Sequence, residues 1–142
     1  MIYIVVPVFN RLHFTKACID TLIAQDYDKF KIIVVDHGST DGTSEYIQVH
    51  FPEVIILKGD ESMWWTGATN FGIQKALKIS ECDDDLVLTI NNDVEVYSNY
   101  LNELLQVYHN NKPCLVGSTP VDINNPGKVL YVGTKWNSLT AT

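Results

Sequence analysis

Short β-branched runs alternate with stretches of helical periodicity along this chain, and that alternation limits the fold more than any other feature. The runs are Ile2–Val6, Ile32–Val35, Val54–Leu57, Leu86–Ile90 and a shorter Leu115–Gly117. Each is too short for a helix and reads as a buried strand. Between them, Phe14, Cys18 and Leu22 recur every four residues with Ala17 alongside. Ala68, Gly72, Ile73, Ala76 and Leu77 form a second apolar stripe, and Leu101, Leu104, Leu105 and Tyr108 a third. A shorter helix through Glu45-Tyr46-Ile47 is capped by Asp41 or Thr43 and stops before Pro52. Strands and helices in this order predict right-handed βαβ units: an α/β fold, a mostly parallel sheet with helices on both faces.

The chain has 142 residues, enough for one compact domain with a core. The expected organisation is a single domain, with residues 1–118 as core and 119–142 as a distinct last stretch. From Pro120 to Gly127 the sequence is rich in turn residues, and Val129-Leu130-Tyr131-Val132 then reads as a strand. A strand so near the last residue, followed only by polar residues, suggests that something downstream is missing. The net charge of -7 disfavours nucleic acid and anionic lipid as main partners. No apolar run is long enough for a transmembrane segment and no signal segment precedes the first strand. Three widely spaced cysteines, Cys18, Cys82 and Cys114, read as reduced thiols, so the expected location is cytoplasmic, or peripheral at the inner face of the membrane.

Chemistry concentrates where apolar runs end. The first run leads into Pro7-Val8-Phe9-Asn10-Arg11, not into the glycine-rich turn of a dinucleotide fold, which argues against NAD or FAD. Pro7 is expected to fix a bend, and Asn10 and Arg11 to point polar groups into the crevice. The second run ends in Asp36-His37-Gly38-Ser39-Thr40-Asp41-Gly42-Thr43. Capping accounts for Asp41 and Thr43, whereas a strand-end acid such as Asp36 commonly accepts from a ribose hydroxyl or a base N–H. Of the four histidines, His37 is near the site and the others read as surface residues. Two adjacent tryptophans, Trp64 and Trp65, precede a helix, and at least one is expected to pack on the core or a ligand ring. The fourth run ends in Asn91-Asn92-Asp93, hard oxygen ligands suited to Mg²⁺ or Mn²⁺ shared with a phosphate. The same triplet also favours a plain turn.

Together, Ile4 to Arg11, Val35 to Thr43, Trp65-Thr66-Gly67-Ala68-Thr69-Asn70-Phe71-Gly72-Ile73 and Asn91-Asn92-Asp93-Val94 resemble family 2 of the inverting glycosyltransferases, with the GT-A fold. The four motifs stand in the family's order from the start of the chain to about Val94. The Trp-Trp-Thr-Gly form is similar to bacterial rhamnosyltransferase-like members that build surface polysaccharides. The resemblance implies transfer of a sugar from a nucleotide-diphosphate donor to a saccharide or lipid-linked acceptor hydroxyl. It implies that Pro7, Phe9, Asn10 and Arg11 line the nucleotide pocket, that Asp36 accepts from the base, and that Ser39 lies nearby. Trp65, Gly67, Asn70 and Asn92 are the further implied substrate contacts. Asp93 and Asn91 are the implied ligands of a divalent cation, Mg²⁺ or Mn²⁺. The first acidic position of the metal motif is Asn91 here, so one carboxylate remains and metal affinity without the donor should be weak. Nothing after Val94 matches the family's acceptor-side base, so the resemblance implies the donor-binding part of such an enzyme, with 119–142 opening the acceptor-side region and the base expected beyond the last residue. Two other classes stay open: a non-catalytic nucleotide-sugar-binding module, and a nucleotidyltransferase-like enzyme, although the latter's Gly-rich first loop is lacking.

Overall fold

A computed structural model describes residues 1–130 and divides the chain into two compact units, Met1–Asn102 and Glu103–Thr142. In the first unit, β1 (Ile2–Val8), β2 (Phe30–Asp36), β3 (Ile55–Lys58) and β4 (Leu86–Thr89) form one sheet in the order β3-β2-β1-β4. Every pairing in it is parallel. The helices α1 (Leu12–Ile23), α2 (Thr43–His50) and α3 (Trp64–Ile79) connect successive strands, and α4 (Tyr100–Asn111) begins at the unit's end.

Strand order and handedness fix where the helices lie. The chain steps from β1 to β2 to β3 in one direction, so right-handed crossovers put α1 and α2 on one face. The step from β3 to β4 runs back across the sheet, which sends α3 to the other face. The direction reverses between β1 and β4, and the crevice beyond their carboxyl ends is the switch point at which such sheets bind ligands.

β1 is buried along its whole length because it has strands on both sides and helices on both faces. Its alternate residues Tyr3 and Val5 join Ile33, Val35, Ala68 and Ala76 in the core beneath α3. The other alternation, Ile4, Val6, Ile32 and Val34, is equally buried. Cys18, Ile19 and Leu22 of α1 and Ile47 of α2 supply the buried apolar residues for that face. Full burial of each such aliphatic is worth about 1.5–3 kcal/mol. Gly72 lets α3 sit close: a Cβ there would lie 2.3 Å from Val5 Cγ1 and 2.9 Å from Val35 Cγ2.

Several expectations shift. Pro7 does not make the bend, since it lies buried within β1. It is tolerated there because pairing with β4 stops at Val5–Thr89, leaving position 7 with a strand on one side only. The buried stripe of α1 is Thr15, Cys18, Ile19 and Leu22, and Phe14 turns outward. Leu77 of α3 is likewise exposed, at the edge of its stripe.

In the second unit, α4 continues to Asn111, and β5 (Val121–Asp122) pairs antiparallel with β6 (Asn125–Val129). The stretch read as a turn-rich loop is thus a hairpin, closed by Asp122 accepting from the Asn124 backbone N–H at 2.9 Å. Leu115–Gly117 is not a strand; it pairs with no other segment among the described residues, and Leu115 is fully exposed. The strand expected at Val129–Val132 ends at Val129, and Tyr131 and Val132 lie outside the described residues.

Candidate functional site

The bend after β1 is made by Asn10 and Arg11, both left-handed at φ 57 and 61. Such a conformation in two consecutive non-glycine residues needs compensation, and the loop after β2 provides it. The Asn10 N–H donates to Ser39 Oγ at 2.7 Å, and Asn10 Oδ1 accepts from the Thr40 N–H at 2.8 Å. Asp41 accepts from the Leu12 N–H at 3.0 Å and the Thr43 N–H at 3.2 Å, so one carboxylate serves the first turns of both α1 and α2. Burial pushes the Asp41 carboxyl up, but hydrogen bonds led by that from the Thr43 hydroxyl outweigh it and hold the group below its ordinary value.

Asp36 does not present an open carboxylate. It is 5% exposed, and it accepts from the Gly38 N–H at 3.2 Å, the Ser39 N–H at 2.8 Å and the Ser44 hydroxyl. Burial raises its pKa, and hydrogen bonds led by that from Ser44 outweigh burial and lower it. The part played by Asp36 here is to fold the Gly38–Ser39 turn, a role sequence reasoning set aside for it. Ser39 in turn braces Asn10, so both side chains hold the crevice wall.

The ring next to that turn was undervalued. His37 is buried and stacks on Phe9, with centroids 5.2 Å apart and planes 18° from parallel. Its Nδ1 is buried without a hydrogen-bond partner among the described residues. Phe9 itself is 44% exposed. The signal available in sequence was the placement of a histidine directly after a strand-end aspartate.

Across the crevice, α1 holds the loop after β4. Asn92 Nδ2 donates to Thr15 Oγ1 at 2.9 Å, and the Cys18 thiol donates to the Asn91 carbonyl at 3.6 Å. Burial first, and then the Asp93 charge, push the Cys18 thiol up to about 12, so it stays protonated as that donor. Asn92 is therefore turned to α1 and not into the crevice. Thr15 and Cys18, one turn apart within an apolar stripe, were the polar residues that could have disclosed this brace. Asn91 Oδ1 accepts from Trp65 Nε1 at 2.9 Å. Asp93 is half-exposed, and Arg11 Nη1 lies 3.8 Å from its Oδ2.

Neither tryptophan packs into the core, which leaves the ligand-ring alternative: Trp64 is 77% exposed and Trp65 54%. Gly67 lies one turn on, where a Cβ would press on Met63 Cβ at 3.1 Å. Asn70 is exposed and stands about 140° around the helix from Trp65, so it does not share that residue's face. The described residues hold no group of three or more His, Cys, Asp or Glu able to cage a metal. Asp93 with the Asn91 amide oxygen is a donor set that fits Mg²⁺ or Mn²⁺ only as a partial site, completed by water and substrate oxygens. No helix among the described residues is long and apolar enough to cross a membrane.

Comparison with known proteins matches residues 3–138 to the model of the family described as "Glycosyl transferase family 2". A relative named "Uncharacterized glycosyltransferase" from Rickettsia bellii (strain RML369-C) is 32% identical over 135 residues, covering 92% of this chain and 19% of its own. "Glycosyltransferase GlyA" of Streptococcus pneumoniae serotype 4 is 33% identical over 75 residues, 51% of this chain and 11% of its own. Among solved structures, residues 1–349 of Staphylococcus aureus TarS in complex with UDP superpose with a TM-score of 0.63 at 17% identity, covering 83% of this chain and 38% of that one. The mannosyltransferase PcManGT from Pyrobaculum calidifontis, in complex with GDP-Man and Mn²⁺, gives 0.57 at 21% identity, covering 74% and 31%. This chain thus spans well under half the length of each protein it matches here.

Proposed function

Since the chain belongs to glycosyl transferase family 2, we propose that its first unit binds the nucleotide-diphosphate portion of a sugar donor. The sugar would then pass to an acceptor hydroxyl with inversion. The observation that carries the reading is the meeting, at the β1/β4 switch point, of Arg11 from one loop and Asp93 from the other. The Phe9–His37 stack stands beside them, on the loops after β1 and β2.

Each part has a chemical use. The exposed face of Phe9 offers a shelf for a nucleobase, and the buried, unpaired His37 nitrogen beneath it is a polar group for which packing alone gives no reason. Arg11 supplies a planar fork of donors suited to diphosphate oxygens. Asp93 and Asn91 would hold a divalent cation whose remaining ligands come from the diphosphate. Bound there, the cation would stabilise the negative charge that builds on the leaving diphosphate. Asp36, Ser39 and Asn10 keep the two loops in register so that these groups face one crevice. Support from outside the chain is that solved structures of the same fold hold UDP, UDP-GlcNAc or GDP-Man with Mn²⁺. A role in surface polysaccharide assembly, with a saccharide or lipid-linked acceptor, rests on the Trp64-Trp65-Thr66-Gly67 resemblance.

The test is a thermal-shift and calorimetric screen of UDP, GDP and dTDP, each with Mn²⁺ and with chelator. Binding to the folded state raises Tm by mass action. A selective, Mn²⁺-enhanced shift for one nucleotide supports the reading, and no shift for any of them opposes it.

A further inference from the structure

Trp64 is held at φ 50 and ψ -176, between the short 3₁₀ turn Glu61–Met63 and the body of α3. A bulky side chain in that region costs on the order of 1–3 kcal/mol, and glycine would relieve it. The residue is nevertheless tryptophan, and its indole is 77% exposed, so burial does not repay the strain. Its neighbour Trp65 is also more than half exposed, yet its Nε1–H is fixed on Asn91 Oδ1, two residues from Asp93. The exposed indole of Trp65 is therefore anchored at the crevice beside the proposed cation and diphosphate site, and its chain neighbour Trp64 carries a second exposed indole on a strained backbone.

We propose that Trp64 and Trp65 form a platform for a pyranose ring of the acceptor saccharide. The proposal rests on the donor reading above. In that reading the diphosphate occupies the crevice floor and the sugar to be transferred lies against it. With inversion, an acceptor hydroxyl must reach the anomeric carbon from the side away from the diphosphate. Trp65, exposed yet held on Asn91, offers an open aromatic surface at that crevice, with exposed Trp64 next to it in the chain. A pyranose presents an apolar face of C–H groups bordered by hydroxyls, which suits a flat indole carrying one polar edge. An anionic membrane surface is the competing occupant for exposed tryptophans, and a net charge of -7 works against it.

The test follows indole N–H signals by two-dimensional NMR, assigned with single Trp→Phe variants, while methyl pyranosides of glucose, galactose, mannose and rhamnose are titrated. Titrations are run on the protein alone, with saturating UDP or GDP and Mn²⁺, and with UDP-GlcNAc or GDP-mannose. The expected result is saturable shifts of the Trp64 and Trp65 signals, with Kd in the millimolar range, that persist when a nucleotide sugar is bound. Trp64→Gly, which relieves the backbone strain and should fold at least as well, is expected to weaken pyranoside binding at least about fivefold. If a nucleoside diphosphate binds but no pyranoside moves either indole, the platform is overturned and the donor reading stands. If nucleotide sugars displace the pyranosides, the indoles hold the transferred sugar and the acceptor assignment is wrong. Should the indoles ignore sugars and respond to phosphatidylglycerol vesicles, the surface is a membrane contact and the proposal fails. Pyranoside shifts without any nucleotide binding would sink the donor reading, and the acceptor assignment with it.

Discussion

Arg11 Nη1 sits 3.8 Å from Asp93 Oδ2, so a guanidinium borders the one carboxylate at the end of β4 that would hold a divalent cation. Both side chains are well exposed, which keeps the pair weak, within about 1 kcal/mol. Arg11 and a metal ion therefore compete mildly for the same oxygen until a diphosphate arrives to engage both. Replacing Arg11 with Ala should strengthen Mn²⁺ binding to the nucleotide-free protein by no more than about fivefold while weakening nucleoside diphosphate binding. Paramagnetic resonance of free Mn²⁺ reads the first effect and calorimetry the second. Weaker binding of both would show that Arg11 assists the metal and does not oppose it.

His37→Phe keeps a ring to stack on Phe9 and removes the buried nitrogen that lacks a partner. Removing such a group is neutral or stabilising for the fold. If His37 serves the nucleotide, affinity should fall roughly two- to twelvefold, the worth of one hydrogen bond, with the denaturation midpoint unchanged or higher. Unchanged affinity would make His37 a packing residue only.

Gly72→Ala places a methyl group 2.3 Å from Val5 Cγ1 and 2.9 Å from Val35 Cγ2, in the core under α3. Overpacking of that kind costs about 1–3 kcal/mol, a fall in Tm of several degrees for a unit of this size. Adding Val5→Ala to make room should recover part of the loss. Equal Tm for wild type and Gly72→Ala would mean that α3 does not pack so closely on β1.

Hydrogen bonds from Ser44, Ser39 and Gly38 outweigh burial and leave the Asp36 carboxyl below its ordinary value. Its folded pKa is then lower than its unfolded one, near 3.9. The stabilisation is complete above the unfolded value and disappears as pH falls through the depressed folded value. Urea titrations of wild type and Asp36→Asn should differ most at neutral pH and converge in acid. Curves that stay parallel from pH 7 to below pH 3 would show that Asp36 is not ionised against those donors.

The alternation of short β-branched runs with apolar stripes carried the four-stranded sheet, its parallel sense and the positions of its strands to within about two residues, because both periodicities are strong local signals, whereas Leu115–Gly117 read as a further strand and is none. Placing Phe9, Arg11, Asn91 and Asp93 at one edge followed from the rule that loops after parallel strands share an end. Less legible was which polar atoms are already spoken for. Asp36, Asn10 and Asn92 look like ligand contacts in sequence, yet each is engaged by a partner 8 to 77 residues away. Such pairings depend on how separate loops meet, which no local window contains. The anchoring of Trp65 on Asn91 was hidden for the same reason, since the two meet only when separate loops come together.

The most direct measurement is calorimetric titration of a nucleoside diphosphate, with UDP and GDP as the first choices, into wild type and Asp93→Ala, each in Mn²⁺ and in chelator. Wild type is expected to bind at least about tenfold more tightly in Mn²⁺ than in chelator. Asp93→Ala should lose that enhancement and keep the metal-independent affinity supplied by Phe9, His37 and Arg11. Equal Mn²⁺ enhancement in both proteins, or no binding by the wild type under either condition, would contradict a donor site built between β1 and β4.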